Sequence, residues 1–462
     1  MKVKLILPAL TEAKSPFWRP IKYSLFPPLG LATLAAYLDE NDDVDLQDQH
    51  VEKLDLNDSP DLVVIQVYIT NAKRAYSIAD HYRSKGIFVA LGGLHVTALP
   101  EEAEAFADSI FIGPGEQTFP EFLIDFKKKQ TKKRYVSTAN RTIENQPRIR
   151  RDLIKREKYL VPNSLVMSRG CPHHCDFCYK DAFFKGGKSF YTQRVDEILA
   201  EIDRLPGKHL YFLDDHLFGN PKLANELFEG MRGMGRVFQS AATVPSIVNG
   251  DLIEKAQAAG LRSLFVGFET FSEENLIQSN KSQNLKQDYD YSVKRLNDLG
   301  IMINGSFVFG LDNDTKDVFR RTVDWGVKNA ITTATYHILT PYPGTRLYDT
   351  MVSTNRILTK DWDLYDTRHV VYKTNGLSAH ELELGYHDSY KEFYKWNNIF
   401  NASFSHEKLK HQFKHLFYAG GWKKFEDFWG FVINSGGLKH MLPFLELVLS
   451  EIKNKEDKSI SN

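Results

Sequence analysis

The three cysteines of the chain, Cys171, Cys175 and Cys178, fall within eight residues in a Cys-x3-Cys-x2-Cys pattern. A disulfide framework would scatter cysteines in pairs, whereas a metal site clusters them. Iron–sulfur clusters take thiolate ligands, and four thiolates complete a cubane. Because the sequence has no fourth cysteine, one iron must bind a group from outside the protein. The spacing therefore predicts a [4Fe–4S] cluster with one reactive iron.

A zinc site and a redox dithiol are the alternatives to this cluster. Structural zinc prefers four closed ligands, and His173 or His174 could supply the fourth. Both histidines lie inside the cysteine loop, where bending to a metal held by three flanking thiolates is awkward. A dithiol uses two thiols and the motif has three. We therefore favour the cluster.

The stretch Cys171-Pro-x-x-Cys175-Asp-Phe-Cys178 resembles the defining motif of the radical S-adenosylmethionine (SAM) superfamily. The resemblance implies that the amino and carboxylate groups of SAM chelate the free iron. It further implies that an electron from the reduced cluster cleaves SAM to a 5′-deoxyadenosyl radical. Phe177, the aromatic residue before the last cysteine, is then expected near the adenine.

Three later segments follow in the order that this resemblance requires. Asp214 and Asp215 end a predicted strand where the family holds the methionine amino group, although paired carboxylates there also cap helices. Glu269 ends another strand, where a polar residue reaches the SAM ribose or carboxylate. Ser306 and Gly310 belong to a segment that lies against the adenine. A glycine at such a corner is by itself only a turn residue, so the order and spacing carry the prediction.

A βα series must position these residues. The strands are predicted at 164–167, 209–213, 237–241, 263–268, 301–309 and 333–339. The helices between them are predicted at 195–204, 221–231, 251–259, 285–299 and 315–328. Six units are fewer than a closed eight-fold barrel needs, so we predict an open (βα)6 partial TIM barrel.

The first 125 residues alternate short β-branched runs with helical patterns, which predicts an α/β, flavodoxin-like (Rossmann-type) doubly wound sheet. Its strands are predicted at 3–7, 44–47, 62–67, 87–91 and 109–112. Glycines and polar residues follow the last three strands, at the edge where such sheets bind ligands. These residues are Thr70, Gly92, Gly93, His95, Gly115 and Glu116. Ordinary turn chemistry accounts for them about equally well.

Joined to a radical SAM barrel, this layout is similar to the cobalamin-binding domain of the B12-dependent subgroup, and the six residues are then expected to contact cobalamin. One motif departs from the cobalamin proteins that place a histidine below the cobalt. Those proteins carry Asp-x-His-x-x-Gly after the first strand, where this chain has Thr11-Glu-Ala-Lys. Asp48-Gln-His50 follows the second strand and lacks the glycine, so we interpret His50 as a surface or packing histidine. Three possibilities stay open: a different lower ligand of the cobalt, no lower ligand, or loss of the cofactor.

The subgroup commonly methylates unactivated carbon. The resemblance implies hydrogen abstraction by the deoxyadenosyl radical, methyl delivery from methylcobalamin, and a low-potential electron donor such as flavodoxin or ferredoxin. Radical rearrangement or oxidation without methyl transfer stays open. A corrinoid or redox sensor is disfavoured because it would not need the SAM-facing strand ends.

Aromatic-rich helical segments follow residue 356, at 386–400 and 425–432. Trp362, Tyr365, Asp366 and His369 just before them resemble the carboxyl-terminal extension of hopanoid C-2 methylases and relatives, which implies an apolar or lipid-like substrate. The aromatic residues between 417 and 429 fit a helical lid better than a membrane surface.

The totals limit the remaining choices. At 462 residues, two or three domains are expected: a cobalamin-binding-like domain at 1–135, a linker at 136–160, the barrel at 161–350 and a helical extension at 351–462. Lys+Arg and Asp+Glu both number 59, which gives no reason to expect nucleic acid. The basic stretch at 127–158 is interpreted as a solvated linker. With neither a signal peptide nor a membrane span in the sequence, we expect a cytoplasmic protein.

Overall fold

The computed structural model of the chain describes residues 1–10, 25–137 and 140–425. Its first part contains a six-stranded parallel sheet in the order β2-β1-β3-β4-β5-β6. The strands are β1 (Lys2–Leu7), β2 (Asp43–Asp48), β3 (Leu62–Gln66), β4 (Phe88–Gly92), β5 (Ser109–Ile112) and β6 (Arg134–Val136). The strand order reverses between β1 and β3, which is the doubly wound topology predicted from the sequence.

Five helices cover the two faces of this sheet. They are α1 (Leu29–Ala35), α2 (Ala72–Ser84), α3 (Leu94–Ala98), α4 (Pro100–Glu104) and α5 (Thr118–Lys127). The side chains of strand β3 alternate between the two faces of the sheet, so neighbouring residues pack against different helices. Val63 and Ile65 pack in the cluster that contains α2, while Leu62 and Val64 pack in the cluster that contains α1 and α5. Both faces of the strand are therefore buried.

The short strand β6 was not predicted from the sequence. It pairs with β5, and only its middle residue, Tyr135, is buried. Three residues inside a basic run are too few to show an alternating pattern. The segment that follows is solvated only in part, because the buried Arg141 side chain donates to the carbonyl oxygens of Lys185, at 3.0 Å, and Lys188, at 3.2 Å.

The second part confirms the open six-unit barrel. Its parallel sheet has the order β14-β13-β12-β11-β10-β7. The strands are β7 (Ser164–Leu165), β10 (His209–Phe212), β11 (Val237–Ala242), β12 (Leu261–Glu269), β13 (Met302–Phe309) and β14 (Thr333–Ile338). Two further strands, β8 (Ser168–Gly170) and β9 (Phe190–Thr192), form an antiparallel pair beside the barrel.

The helices of the barrel are α6 (Tyr179–Phe183), α7 (Val195–Arg204), α8 (Pro221–Met231), α9 (Val244–Val248), α10 (Leu252–Ala259), α11 (Glu273–Gln278), α12 (Tyr289–Asp298) and α13 (Val318–Lys328). The longer helices of the barrel each bury an apolar face, whereas the short α6 lies at the domain boundary. In α7, Ile198 and Ile202 are one turn apart and both buried. At the end of α10, Gly260 adopts φ +117°, and a Cβ there would lie 2.1 Å from the carbonyl oxygen of Arg236. Only glycine fits this helix stop.

Beyond the barrel, the described chain up to residue 425 is largely helical from Ala379 onward. Its helices are α14 (Arg346–Ser353), α15 (Ala379–Phe393), α16 (Trp396–Phe404) and α17 (Leu409–His415), followed by a π-helix at Leu416–Trp422. The predicted helix at 386–400 is broken between α15 and α16. The predicted helix at 425–432 lies outside the described residues, apart from Phe425.

Helix α15 covers the free edge of the barrel sheet. The Tyr394 hydroxyl accepts from the backbone N–H of Ala334 at 3.1 Å, and the Tyr390 hydroxyl accepts from the N–H of Tyr336 at 2.9 Å. An exposed edge strand leaves such groups unpaired. The two tyrosines satisfy them, so β14 needs no further strand and the barrel stays open.

Candidate active site

The cysteine loop follows β8 and leads into α6, after which the chain returns to pair β9 with β8. Gly170 ends β8 with φ +76°, and a Cβ there would lie 1.9 Å from the carbonyl oxygen of Ser189. Lys180 then fixes the loop from inside, because its Nζ donates to the carbonyl oxygens of Cys171, at 3.0 Å, and His173, at 2.5 Å. The Gly170 backbone and the Lys180 side chain therefore shape the loop.

The three cysteines are free thiols that fit a cluster. Cys175 is buried, and Cys171 and Cys178 are partly exposed. Burial raises the pKa of Cys171, and it raises the pKa of Cys178 to about 12. Gln283 donates its side-chain amide to Cys175 Sγ at 3.4 Å. Three thiol donors from one partly buried loop, with one hydrogen bond directed to sulfur, are the ligand set that a cubane takes.

The histidines of the loop do not complete a zinc site. His174 Nδ1 lies 3.1 Å from Asp181 Oδ1, and the His173 ring packs 5.6 Å from that of His216. Within the described ranges, no three histidine, cysteine or carboxylate side chains converge as the ligands of one metal ion. A cubane spreads its thiolates over separate corners and needs no such convergence.

The end of barrel strand β12 lies beside the cysteine loop. Glu269 has φ +64°, an uncommon conformation for a residue other than glycine, and the β12–β13 register shifts between Gly267 and Glu269. Its Oε1 lies 2.8 Å from Lys281 Nζ, and that Nζ lies 5.9 Å from the centre of the Phe177 ring. The structure therefore brings Phe177 and Glu269 close together around Lys281.

Lys281 was not singled out from the sequence. It follows Glu269 by twelve residues, and only the fold returns it to the strand end. Burial alone would lower its pKa, but Glu269 and the sulfurs of Cys175 and Cys178 outweigh burial and raise it. A buried ammonium group thus stays charged beside the cysteine loop.

The two candidate aspartates have different surroundings. Asp214 is buried and accepts from the backbone N–H groups of Met167, at 3.1 Å, and Ser168, at 2.5 Å, and from the Ser168 hydroxyl. Burial raises its pKa to about 6. Asp215 accepts from the Tyr179 hydroxyl at 2.6 Å and lines a cavity. Asp214 therefore supports the chain before the cysteines, while Asp215 faces open space.

The two candidates on β13 are also placed differently. Ser306 is paired in register with Gly267, close to the Glu269 strand end. Gly310 adopts φ +92° and packs against Tyr372 and Leu382 of the carboxyl-terminal extension. The structure brings Ser306 to the strand end near Phe177, whereas the contacts of Gly310 are with the extension.

A first cavity, of about 260 Å³, lies between the amino-terminal sheet and the barrel. Four predicted cobalamin contacts line it: Gly92, Gly93, Gly115 and Glu116. Gly93 is required by the backbone itself, since its φ is +116° and a Cβ would lie 2.7 Å from the carbonyl oxygen of Val67. From the barrel side, Arg169 contributes an ion pair with Glu116 at 2.8 Å. Both domains therefore build this cavity.

A second cavity, of about 400 Å³, adjoins the first and is mainly apolar. Thr70 and His95, the other predicted cobalamin contacts, line it. His95 is buried, with Nε2 2.9 Å from Glu102 Oε1. The two cavities share four lining residues, Tyr68, Leu94, Tyr179 and Phe183. The far wall belongs to the end of the barrel and the extension: Tyr342, Pro343, Tyr365, Asp366 and Thr367.

His50 is a packing histidine. Its Nδ1 lies 2.8 Å from Asp48 Oδ1, and its Nε2 accepts from the backbone N–H of Leu10 at 3.2 Å. It is buried against strand β2 and does not line either cavity. The segment at Thr11, where the histidine motif is missing, lies outside the described residues.

Comparison with known proteins agrees with this geometry. Residues 165–326 match the Radical SAM superfamily and residues 23–123 match the B12 binding domain. The chain is 30% identical to the bacteriochlorophyllide d C-12(1)-methyltransferase of Chlorobaculum tepidum, over 73% of this chain and 76% of that protein. It is 25% identical to the hopanoid C-2 methylase of Rhodopseudomonas palustris, over 73% of this chain and 66% of that protein.

Two solved structures share the fold. The radical SAM methyltransferase TsrM from Kitasatospora setae, with cobalamin and a [4Fe–4S] cluster bound, gives a TM-score of 0.60 at 16% identity, covering 76% of this chain and 78% of that one. The cobalamin-dependent radical enzyme OxsB, with aqua-cobalamin bound, gives 0.67 at 17% identity, covering 92% and 72%.

The fold and the cysteine loop define a radical SAM enzyme with a B12-binding domain. The chain belongs to the family of cobalamin-dependent radical SAM C-methyltransferases. Its cofactors are accordingly SAM, a [4Fe–4S] cluster and cobalamin. Across the described ranges, every helix is too short or too polar to cross a membrane.

Proposed function

We propose that the chain methylates an unactivated carbon of an apolar, ring-containing small molecule bound in the second cavity. The observation that carries this proposal is the shared wall: Tyr68, Leu94, Tyr179 and Phe183 line both cavities. Tyr179 directly follows Cys178 in the chain. A substrate in the second cavity would thus lie between the cysteine loop and the B12-binding domain.

The composition of the second cavity supports the substrate class. Its lining is mainly aromatic and aliphatic, with Asp366 and Thr367 among the few polar residues. Such pockets take apolar ligands and orient them by a few polar groups. The methyltransferase relatives are named for bacteriochlorophyllide d and hopanoids, which are ring systems of this kind. We propose a tetrapyrrole-like or hopanoid-like substrate on these grounds.

The residue roles follow from the placements above. We assign the cluster to Cys171, Cys175 and Cys178. We assign SAM to Phe177, Asp215, Glu269 and Ser306, with Lys281 as an added charge, and leave Asp214 and Gly310 as supports of the loop and the strand. We assign cobalamin to Gly92, Gly93, Gly115 and Glu116, which line the first cavity. Thr70 and His95, predicted from the sequence as cobalamin contacts, line the second cavity, and we assign them to the substrate.

When bound, these cofactors supply hydrogen abstraction and the methyl group. The chain's own residues would bind and orient the substrate, and the aromatic walls would keep water from the radical. A low-potential flavodoxin or ferredoxin would supply the electron. In this proposal the enzyme therefore works in the cytoplasm.

The proposal is tested by filling the second cavity. Ile69 lines the second cavity, and Ile69→Trp should fill it. The holoenzyme is incubated anaerobically with SAM, dithionite and either bacteriochlorophyllide d or a hopanoid. We expect the methylated product to fall by at least about tenfold, while cobalamin stays bound and SAM is still cleaved. Ile124→Trp, at an exposed position, is the matched control.

Two results would contradict the proposal. One is an unchanged product yield in Ile69→Trp. The other is that a strain lacking the gene accumulates no metabolite lighter by one methyl group. SAM cleavage with an altered but unmethylated product would instead indicate rearrangement or oxidation.

A further inference from the structure

The carboxyl-terminal helices α16 and α17 carry large apolar side chains that face solvent. Trp396, Phe400 and Phe404 recur every four residues along α16 and therefore form one stripe. Their rings stack in sequence, with centroids 5.7 Å apart for the first pair and 6.1 Å apart for the second. The opposite side of α16 is buried through Ile399 and Ala402. The stripe is thus an outward face of an otherwise packed helix.

Helix α17 and the chain after it carry further exposed apolar side chains. Phe404, Leu409 and Phe413 are 65%, 70% and 68% exposed. Leu409 and Phe413 are one turn apart, so they share a side of α17. Phe425 is also exposed, and its ring lies 6.2 Å from that of Trp396. We call these six residues, Trp396, Phe400, Phe404, Leu409, Phe413 and Phe425, the aromatic face.

The aromatic face lies at the end of the barrel opposite the cysteine loop. Lys414 Nζ donates to the carbonyl oxygen of Gly300 at 3.3 Å, just before β13 begins, and Tyr418 packs with Val237 and Met302, the first residues of β11 and β13. The cysteine loop follows the carboxyl end of the strands instead. The described part of this region is therefore not the lid over the site that we expected from the sequence.

The same segment is basic, although its first lysine, Lys395, is paired with Glu392. Residues 395–425 contain six lysines and one glutamate, Glu407, in a chain of zero net charge. Lys408 and Lys410 flank Leu409 and are exposed. Lys424 Nζ lies 5.3 Å from the centre of the Trp396 ring. Exposed aromatic side chains bordered by lysines are the pattern of helices that lie in the headgroup region of a membrane.

We propose that the aromatic face docks on the surface of a membrane that contains anionic lipids. The rings and Leu409 would enter the boundary between headgroups and acyl chains, and the exposed Lys408 and Lys410 would pair with lipid phosphates. Docking would depend on the exposure and charge of this segment and not on the substrate. Because the face is remote from the cysteine loop, docking would anchor the enzyme while leaving the cavities accessible.

The test is flotation of the full-length protein with vesicles of phosphatidylglycerol and phosphatidylcholine in equal parts, and with vesicles of phosphatidylcholine alone. We expect binding to the anionic vesicles, weaker binding in high salt because the lysines are screened, and little binding to neutral vesicles. In Phe404→Ser/Phe413→Ser the partition coefficient should fall by at least about tenfold. The matched control is Ile124→Ser/Ile277→Ser, two positions that are 55% and 64% exposed elsewhere on the surface.

The other possible occupants of the face are outcomes of the same experiment. If wild-type protein fails to bind anionic vesicles, or if the Phe404/Phe413 variant binds as well as wild type, the proposal is overturned. It is also overturned if the variant converts a dimer into a monomer without any vesicle binding, since a second copy then covers the face. A lowered unfolding temperature in the variant, with no vesicle binding in wild type, would mean that the chain itself covers these side chains.

Discussion

The two cavities at the domain boundary share a wall but are built in different ways. Glycines after the strands, and the ion pair between Glu116 and Arg169, shape the first cavity. Aromatic side chains from α6, the end of the barrel and the extension shape much of the second. A cavity formed by turn backbone suits a group common to a family, whereas one formed by side chains varies with the substrate. We therefore place cobalamin mainly in the first and specificity in the second.

The largest effect is expected from a substitution in the cysteine loop, because both cavities depend on this one element. Cys175→Ala removes the most buried thiol and leaves a cubane with two protein ligands. We expect anaerobic reconstitution to give about four irons per chain in wild type, and the variant to lose the cluster and all SAM cleavage. Iron analysis and 5′-deoxyadenosine release measure this. Cleavage of SAM by the variant would mean that the loop is not the cluster site.

The next largest effect is expected from a substitution that distinguishes the first cavity from the second. Gly30 lines the first cavity only, and Gly30→Leu should fill it. Cobalamin retained through gel filtration should fall by more than about tenfold, with SAM cleavage preserved. Gly30→Ala is the control, because its Cβ would make only an ordinary contact, 3.8 Å from the Gln66 side chain. If Gly30→Leu keeps cobalamin and Ile69→Trp loses it, the assignments of the two cavities are reversed.

A smaller effect is expected from the ion pair across the first cavity. Arg169→Met leaves the Glu116 carboxylate largely buried without its partner. Breaking such a pair costs up to several kcal/mol, and the partial exposure of Arg169 reduces this to about 2 kcal/mol of unfolding free energy. Urea unfolding measures it, and Arg169→Met/Glu116→Gln should recover part of the loss. Equal unfolding free energies of Arg169→Met and wild type would show that this ion pair does not stabilise the protein.

The smallest effect concerns the second cavity. The Tyr365 hydroxyl donates to the carbonyl oxygen of Thr359 at 2.7 Å, while the Tyr365 ring contributes to the cavity wall. Tyr365→Phe should lower the unfolding free energy by about 1 kcal/mol and leave methylation unchanged. A large loss of methylation at unchanged stability would show that this hydroxyl, rather than the apolar wall, holds the substrate.

The difference between the cavities also explains what the sequence could predict. The strands of the two βα series and the cysteine loop depend on local period and spacing, so their positions were predicted to within a few residues, whereas the short strands β6, β8 and β9 were missed. Gly92 and Gly115 are recognisable because Gly92 ends β4 and Gly115 stands three residues after the end of β5. Arg169 stands two residues before Cys171, so its position beside the cysteine loop could have been predicted from the motif.

Other features depend on contacts between distant segments. Lys281 meets Glu269 and Phe177 only after a helix and a turn have folded. Tyr68 and Tyr179 come from different domains and form one wall only in the assembled chain. The two roles of Asp214 and Asp215 depend on which side of a strand end each faces. No periodicity in the sequence records such contacts.

The most direct test of the account is electron paramagnetic resonance of the anaerobically reconstituted, dithionite-reduced protein, with and without SAM. We predict the signal of a reduced [4Fe–4S] cluster whose g values shift when SAM is added, because SAM binds the iron that no cysteine holds. A cluster signal that SAM leaves unchanged, or bound zinc with no cluster signal at all, would contradict it.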